Sequence, residues 1–114
     1  MKAEALKGHL DGLLLAVLEA GPAHGYAVME AVRVGSGAAF DLPTGTVYPA
    51  LHRLERAGLV RGIWAEGPGR RRRVYELTAA GRRALAEQRD GWRRFSDAVT
   101  AVLHGGGRPW PGSA

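Results

Sequence analysis

The sequence lacks cysteine among its 114 residues, which excludes a disulfide framework, a thiol nucleophile and a thiolate metal site. No apolar run approaches the roughly 20 residues that span a bilayer, and the opening MKAEALKGHL has no apolar core of a signal peptide. Acidic residues are fewer than basic ones, 11 against 16, for a net charge of +5. We therefore expect a basic cytoplasmic protein with one core.

Motifs for catalysis and metal binding are also missing. The sequence has no HExxH, GxSxG or phosphate-binding loop and no paired carboxylates. Its histidines are scattered, and none pairs with another at helical spacing. We expect no enzyme activity, no cofactor and no metal. His24 is expected to cap or pack the helix that follows it.

The spacing of apolar residues predicts a mainly α fold with a small β-hairpin. Glycine and proline mark the ends of three helices, and Thr44 or Thr46 and then Thr78 are candidate N-caps for the third and fourth. EGPG supplies a turn between two strand-like runs. The predicted helices are 4–20, 24–34, 45–57 and 79–103, and the predicted strands are 59–65 and 72–77.

Three helices, a hairpin and a further helix follow the order of a winged helix-turn-helix domain. We assign this domain to residues 1–78 and a dimerisation helix to residues 79–104. The glycine- and proline-rich residues 105–114 are expected to form a disordered tail.

The third helix predicts one buried face and one basic face. At 100° per residue, Val47, Leu51 and Leu54 centre on one side of this helix. The opposite side suits the major groove of DNA, because arginine can bind guanine through two hydrogen bonds and threonine can bind phosphate. The residues on that side are Thr46, Pro49, Arg53 and Arg56.

Positive charge is concentrated around this helix and the hairpin. Residues 44–78 hold seven arginines against three glutamates, which is +4 of the net +5. Four of these arginines are consecutive at the hairpin tip, where they would contact the DNA backbone or minor groove and add salt-dependent affinity. They are Arg70, Arg71, Arg72 and Arg73.

Apolar residues recur at a spacing of about 3.5 along the last helix, which predicts packing against another long helix. A helix of 25 residues is about 37 Å long, and a small monomer cannot cover it. We therefore expect a homodimer. The predicted seam comprises Leu85, Trp92, Phe95, Val99 and Val102.

The segments GPAHGYAVME, GTVYPALHRLERAGLV and GRRRRVYELTAAGRRAL resemble, in order and spacing, the PadR family of transcriptional regulators. The likeness covers about residues 6–103, and the single last helix resembles the short PadR subclass. It implies a homodimeric repressor on a palindromic operator, and it adds Tyr48 to the recognition helix. Two departures are Pro43 and Thr44, where the family often has serine before Gly-Thr, and Val74, where the wing often has a second tyrosine.

The resemblance also implies an effector site. In some short PadR members a tryptophan of the last helix lines a cavity that binds planar aromatic compounds at the dimer axis, and Trp92 aligns with it. A tryptophan that only fills the dimer seam is the other interpretation. The implied cavity residues are Leu10, Asp11, Leu14, Trp92, Phe95, Ser96 and Val99.

A different class of function also fits these patterns. A winged helix can bind protein or RNA without regulating transcription, and a basic wing does not separate the two. Binding to duplex DNA, compared with single-stranded RNA, would discriminate between them.

Overall fold

The computed structural model describes residue 6 and residues 8–105, apart from the side chain of Arg70. These residues form four helices and three strands, so the predicted winged helix-turn-helix fold is confirmed. The last nine residues of the predicted tail lie outside the described residues. The elements are α1 (Leu10–Glu19), β1 (Ala23–His24), α2 (Gly25–Gly35), α3 (Thr44–Arg56), β2 (Val60–Gly67), β3 (Arg70–Leu77) and α4 (Ala79–Leu103).

Helix α1 is shorter than the predicted 4–20. Residues 1–5 and 7 lie outside the described residues, and Gly8 has a φ of 85°. That left-handed conformation cannot continue an α-helix, so α1 begins only at Leu10. Periodicity alone could not place this break, because Leu6 is buried and so fits the pattern of the helix that follows.

The start of α3 differs from the prediction that Thr44 or Thr46 caps it. Pro43 occupies the N-cap position with extended backbone, and no side chain caps the first turn. Proline suits this position because its fixed φ is compatible with extended backbone. Pro49 lies deeper in the helix than a first-turn proline and removes the N–H that would bond to the Gly45 carbonyl. Gly45 is exposed, so water can bond to that carbonyl.

The three strands form an antiparallel sheet in the order β1-β3-β2. Strands β2 and β3 form the predicted hairpin, which we call the wing. Strand β1 was not predicted, because two residues are too few for a periodicity. It pairs Ala23 with Tyr75 and His24 with Val74, and so joins the start of α2 to the wing.

One core joins α1, α2, α3, the base of the wing and the start of α4. The apolar face predicted for α3 is confirmed, since Val47, Leu51 and Leu54 are all buried. Helix α2 buries the side chains of Val28 and Val32, whereas Tyr26 is 63% exposed. The fully buried side chains include Leu14, Leu15, Leu18, Val28, Val47, Leu51, Leu54, Val60 and Tyr75.

Helix α4 matches its predicted range of 79–103. The Thr78 Oγ1 accepts the Gly81 N–H at 3.0 Å, as expected of an N-cap, and donates to the Gly58 carbonyl at 2.7 Å. Leu85, which was predicted for the dimer seam, instead packs in the core of its own domain, whereas no residue from 89 to 103 is buried. The second half of α4 therefore projects from the core.

Candidate nucleic-acid interface

The outward face of α3 carries the side chains that the sequence predicts for DNA contact. Pro49, Arg53 and Arg56 are exposed, and Thr46 is half-buried. The opposite face is fixed in the core through Val47, Ala50, Leu51 and Leu54, each at most 2% exposed. Burial of one face therefore orients the basic face toward solvent.

Tyr48 has a structural role that the sequence did not reveal. A Cβ placed on Gly25 would lie only 2.4 Å from the Tyr48 ring, so the ring lies directly over the start of α2. Tyr26 meets the same ring edge to face, with centroids 6.3 Å apart. Tyr48 is half-buried and holds α2 against α3.

Arg53 is ion-paired across the fold. Its Nη2 donates a hydrogen bond to Oδ1 of Asp11, in the first turn of α1. The side chains remain 53% and 38% exposed, respectively. Asp11 therefore lies beside α3, the candidate recognition helix, and does not line the groove at Trp92.

Glu55 joins α3 to both strands of the wing. Its Oε2 accepts hydrogen bonds from the Gly62 N–H at 3.0 Å and from Nη2 of Arg73 at 2.5 Å. Neither Glu55 nor this junction was singled out from the sequence. The sequence shows only that Glu55 adds a negative charge near several arginines. The strand register decides which arginine it contacts.

Tyr75 lies at the base of this junction and is 1% exposed. Burial raises the pKa of the Tyr75 hydroxyl, and the nearby Glu55 carboxylate adds to that rise. Arg73 acts in the opposite direction on the same pKa.

The wing arginines fall on different faces of the hairpin. Strand register places Arg71 opposite Glu66 and Arg73 opposite Trp64. The guanidinium carbons of Arg71 and Arg73 lie 4.9 and 5.5 Å from the Trp64 ring centroid, within cation–π range. Arg71 also pairs with Glu66 at 3.5 Å. Trp64 therefore organises this face of the wing.

Arg72 points to the other face, toward His24. Its Nη1 lies 3.1 Å from His24 Nε2. His24 Nδ1 accepts the Ala27 N–H at 3.3 Å, which confirms the expected cap on α2. A neutral ring with an accepting Nδ1 carries its proton on Nε2, and that N–H cannot accept from arginine. Arg72 therefore lies near His24 without a hydrogen bond to hold it.

The projecting half of α4 presents an apolar face. Trp92 and Phe95 are 54% and 56% exposed, with ring centroids 5.9 Å apart, and Val99 and Val102 follow on the same side. His9 meets the Trp92 ring edge to face at 5.2 Å. An open groove of about 390 Å³ lies here, lined by Gly8, His9, Ala84, Glu87, Gln88, Gly91, Trp92 and Phe95.

Helix α1 packs against α4 of its own chain. The Arg89 guanidinium donates two hydrogen bonds to the Glu19 carboxylate, at 2.9 and 3.0 Å. This contact lowers the pKa of Glu19. The N-cap residue His9 therefore contacts the groove, and helix α1 contacts α3 through Asp11 and α4 through Glu19.

Comparison with known proteins agrees with this architecture. The profile of the "Transcriptional regulator PadR-like family" matches residues 14–87. The chain belongs to the PadR-like family. The crystal structure of a PadR family transcriptional regulator from Eggerthella lenta is similar to this chain, with a TM-score of 0.76, 33% identity and coverage of 88% of this chain and 86% of that one.

Two further relatives show how far the similarity in sequence and in fold extends. A transcriptional regulator of Mycobacterium tuberculosis, Rv3488, is 48% identical over 66 residues, which are 58% of this chain and 59% of that protein. A transcriptional regulator from Clostridium thermocellum has a TM-score of 0.80 over 88% of this chain and 95% of its own, but its 22% identity supports the fold alone.

In this PadR-like chain, only part of the implied effector set lies together. Trp92 and Phe95 line the groove, whereas Leu14 is fully buried in the core and Asp11 faces Arg53. Leu10 is half-buried against the core, and the Ser96 hydroxyl bonds to the Arg93 carbonyl. His9 was missed as a neighbour of Trp92, because only the break at Gly8 turns it toward α4.

Other binding chemistries find little support in the described part of the chain. Its helices are each too short or too polar to cross a lipid bilayer. Its histidines and carboxylates form no group of three that could hold a metal ion.

Proposed function

We propose that this PadR-like regulator is a homodimeric repressor that binds a palindromic DNA operator through α3 and the wing. The observation that carries the proposal is the two-sided character of α3. Its apolar face is locked in the core, and its exposed face bears Arg53 and Arg56 beside an arginine-rich wing.

The start of α3 adds to this interface. No side chain caps its first turn, and Thr44 and Gly45 are exposed there. Free backbone N–H groups at a helix N-terminus attract a phosphate, because the helix dipole is positive at that end. A phosphate contact here would set the position of α3 along the groove.

The apolar face of α4 supports the dimer. Trp92, Phe95, Val99 and Val102 are each at least 38% exposed, although they follow the spacing of a helix-packing seam. Pairing of two α4 helices would bury these side chains. Two recognition helices related by twofold symmetry would then face half-sites about 10 bp apart.

A mobility-shift assay tests the DNA-binding role. The probe is a duplex that the wild-type protein has selected from a randomised library, compared with single-stranded RNA of the same length. Arg53→Ala is expected to cost roughly 1–3 kcal/mol and to relax specificity at one position per half-site. Arg94→Ala, on the projecting half of α4, is the control and should bind as the wild type does. Preference for the RNA would favour the protein- or RNA-interaction alternative.

Release by a planar effector is a second candidate function. It is favoured by the open groove at Trp92 and Phe95, where stacking and cation–π attraction are available. His9 touches Trp92 and lies two residues before Asp11, the partner of Arg53. A ligand that moves the start of α1 could therefore change the recognition helix, in proportion to its differential affinity for the two states.

Tryptophan fluorescence tests the effector hypothesis. Trp64 and Trp110 are first replaced with phenylalanine, so that Trp92 alone emits. A panel of planar cationic dyes is expected to change this emission and to lower operator affinity together. Unchanged emission across the panel, or two Trp92 rings packed against each other in the dimer, would leave Trp92 as a dimer contact only.

A further inference from the structure

Asp11 is the acidic partner of an arginine on the exposed face of the recognition helix, 42 positions away in sequence. We propose that Asp11 is a positioning residue that orients Arg53 for base contact and so sets operator specificity. The inference rests on the proposed function and deepens it.

The need for such a residue follows from the arginine side chain. Arg53 is 53% exposed, so on its own it would sample many rotamers. A bidentate contact with guanine requires the guanidinium to lie in the plane of the base edge. Fixing a long side chain at an interface costs free energy on binding, and fixing it beforehand avoids that cost.

Asp11 is well placed to do this because its own backbone is rigid. It lies in the first turn of α1, and α1 buries Leu14, Leu15 and Leu18 in the core. The backbone of Asp11 therefore has a fixed position relative to α3, which shares that core. Because Asp11 lies on α1, its carboxylate restrains Arg53 without requiring an acidic residue on α3 itself.

The geometry favours positioning over sequestration of Arg53. The contact uses Nη2 alone, and a guanidinium has five N–H donors. The second N–H of Nη2 remains, and together with an N–H of Nη1 or Nε it can still form a bidentate contact with a base. A carboxylate that sequestered Arg53 would be expected to take two donors at once, as Glu19 does with Arg89.

The test compares Asp11→Asn with Glu19→Gln. Both changes remove one negative charge from α1 and break one ion pair with a distant arginine, but Arg89 is not on the recognition helix. For each variant, fluorescence anisotropy measures the affinity for the selected operator and for a scrambled duplex at one salt concentration. Asp11→Asn is expected to lower the ratio of operator to scrambled affinity roughly threefold to tenfold. Glu19→Gln should leave the ratio unchanged.

A double-mutant cycle excludes a purely structural effect. If Asp11 acts through Arg53, then Asp11→Asn changes the affinity ratio little when Arg53 is already alanine. An equal fall in both backgrounds would overturn the proposal. So would an unchanged or higher ratio for Asp11→Asn alone, and a higher operator affinity would identify sequestration instead. Failure of the wild type to prefer any duplex would refute the proposed function itself.

Discussion

At the scale of single residues, Gly25 shows how a close contact fixes the choice of amino acid. The missing side chain makes room for the Tyr48 ring, which a Cβ would meet at 2.4 Å. Gly25→Ala is expected to destabilise the fold by roughly 1–3 kcal/mol, because the ring must leave its place between α2 and α3. Denaturant unfolding monitored by circular dichroism measures the effect.

Gly35, at the other end of α2, provides the matched control. Nothing lies within 4 Å of a Cβ placed there, and its φ is not in the left-handed region. Gly35→Ala should be neutral or stabilising by about 0.4–1 kcal/mol. Equal effects of the two changes would show that packing against Tyr48 is not what selects Gly25.

The wing arginines also differ in the groups that they contact. Within the described residues Arg72 pairs with no carboxylate, whereas Arg73 is held by Glu55. In affinity measured from low to high salt, Arg72→Ala is expected to reduce the salt slope by about 1, as for a lost phosphate contact. Arg73→Ala should instead lower the thermal stability and change the slope less. The reverse pattern would show that Glu55 releases Arg73 to DNA.

These arginines also show the limit of sequence reasoning at this scale. The run RRRR predicts a basic tip, and a basic tip is present. Which arginine meets Glu55, Glu66 or His24 depends on strand register and on a helix more than ten residues away. The sequence of the wing alone does not determine these contacts.

At the scale of elements, the ends of α3 and α4 differ in how they are capped. Thr78 binds both Gly81 and Gly58, so it caps α4 and ties it to the end of α3. Thr78→Ala is expected to cost about 1–2 kcal/mol of unfolding free energy. Thr44→Ala should cost less than about 0.5 kcal/mol, since Thr44 is exposed and no side chain caps α3. Comparable losses in a urea titration would contradict this difference.

The type of an element was predictable where the segment was long enough to show the periodic spacing of its apolar residues. Helix α4 and the hairpin followed from periodicity, turn residues and the cap at Thr78. The break at Gly8, the cap at Pro43 and strand β1 did not. Nothing in the sequence around Gly8 marks a helix break, and the break follows from its positive φ. Strand β1 forms because β3 provides its hydrogen-bond partners. Tertiary contacts, not local preference, determine these features.

At the scale of the whole molecule, the chain combines one buried core with the projecting second half of α4, residues 89–103, in which no residue is buried. The apolar face of α4 predicts that Phe95→Glu yields a monomer that keeps its helix content, because a charge would be buried in the seam. Ala101→Glu adds the same group two residues after Val99, off the seam, and should leave the dimer intact. Sedimentation velocity at micromolar concentration separates these outcomes. Identical behaviour of both variants would place the contact elsewhere.

Two copies of this chain are expected to bind one palindromic DNA site. Sedimentation of a fluorescently labelled duplex, carrying one selected inverted repeat, measures the number of chains bound per duplex. We expect two chains per duplex across the titration, with half-sites about 10 bp apart. One chain per duplex at saturation, or no binding to any selected duplex, would contradict it.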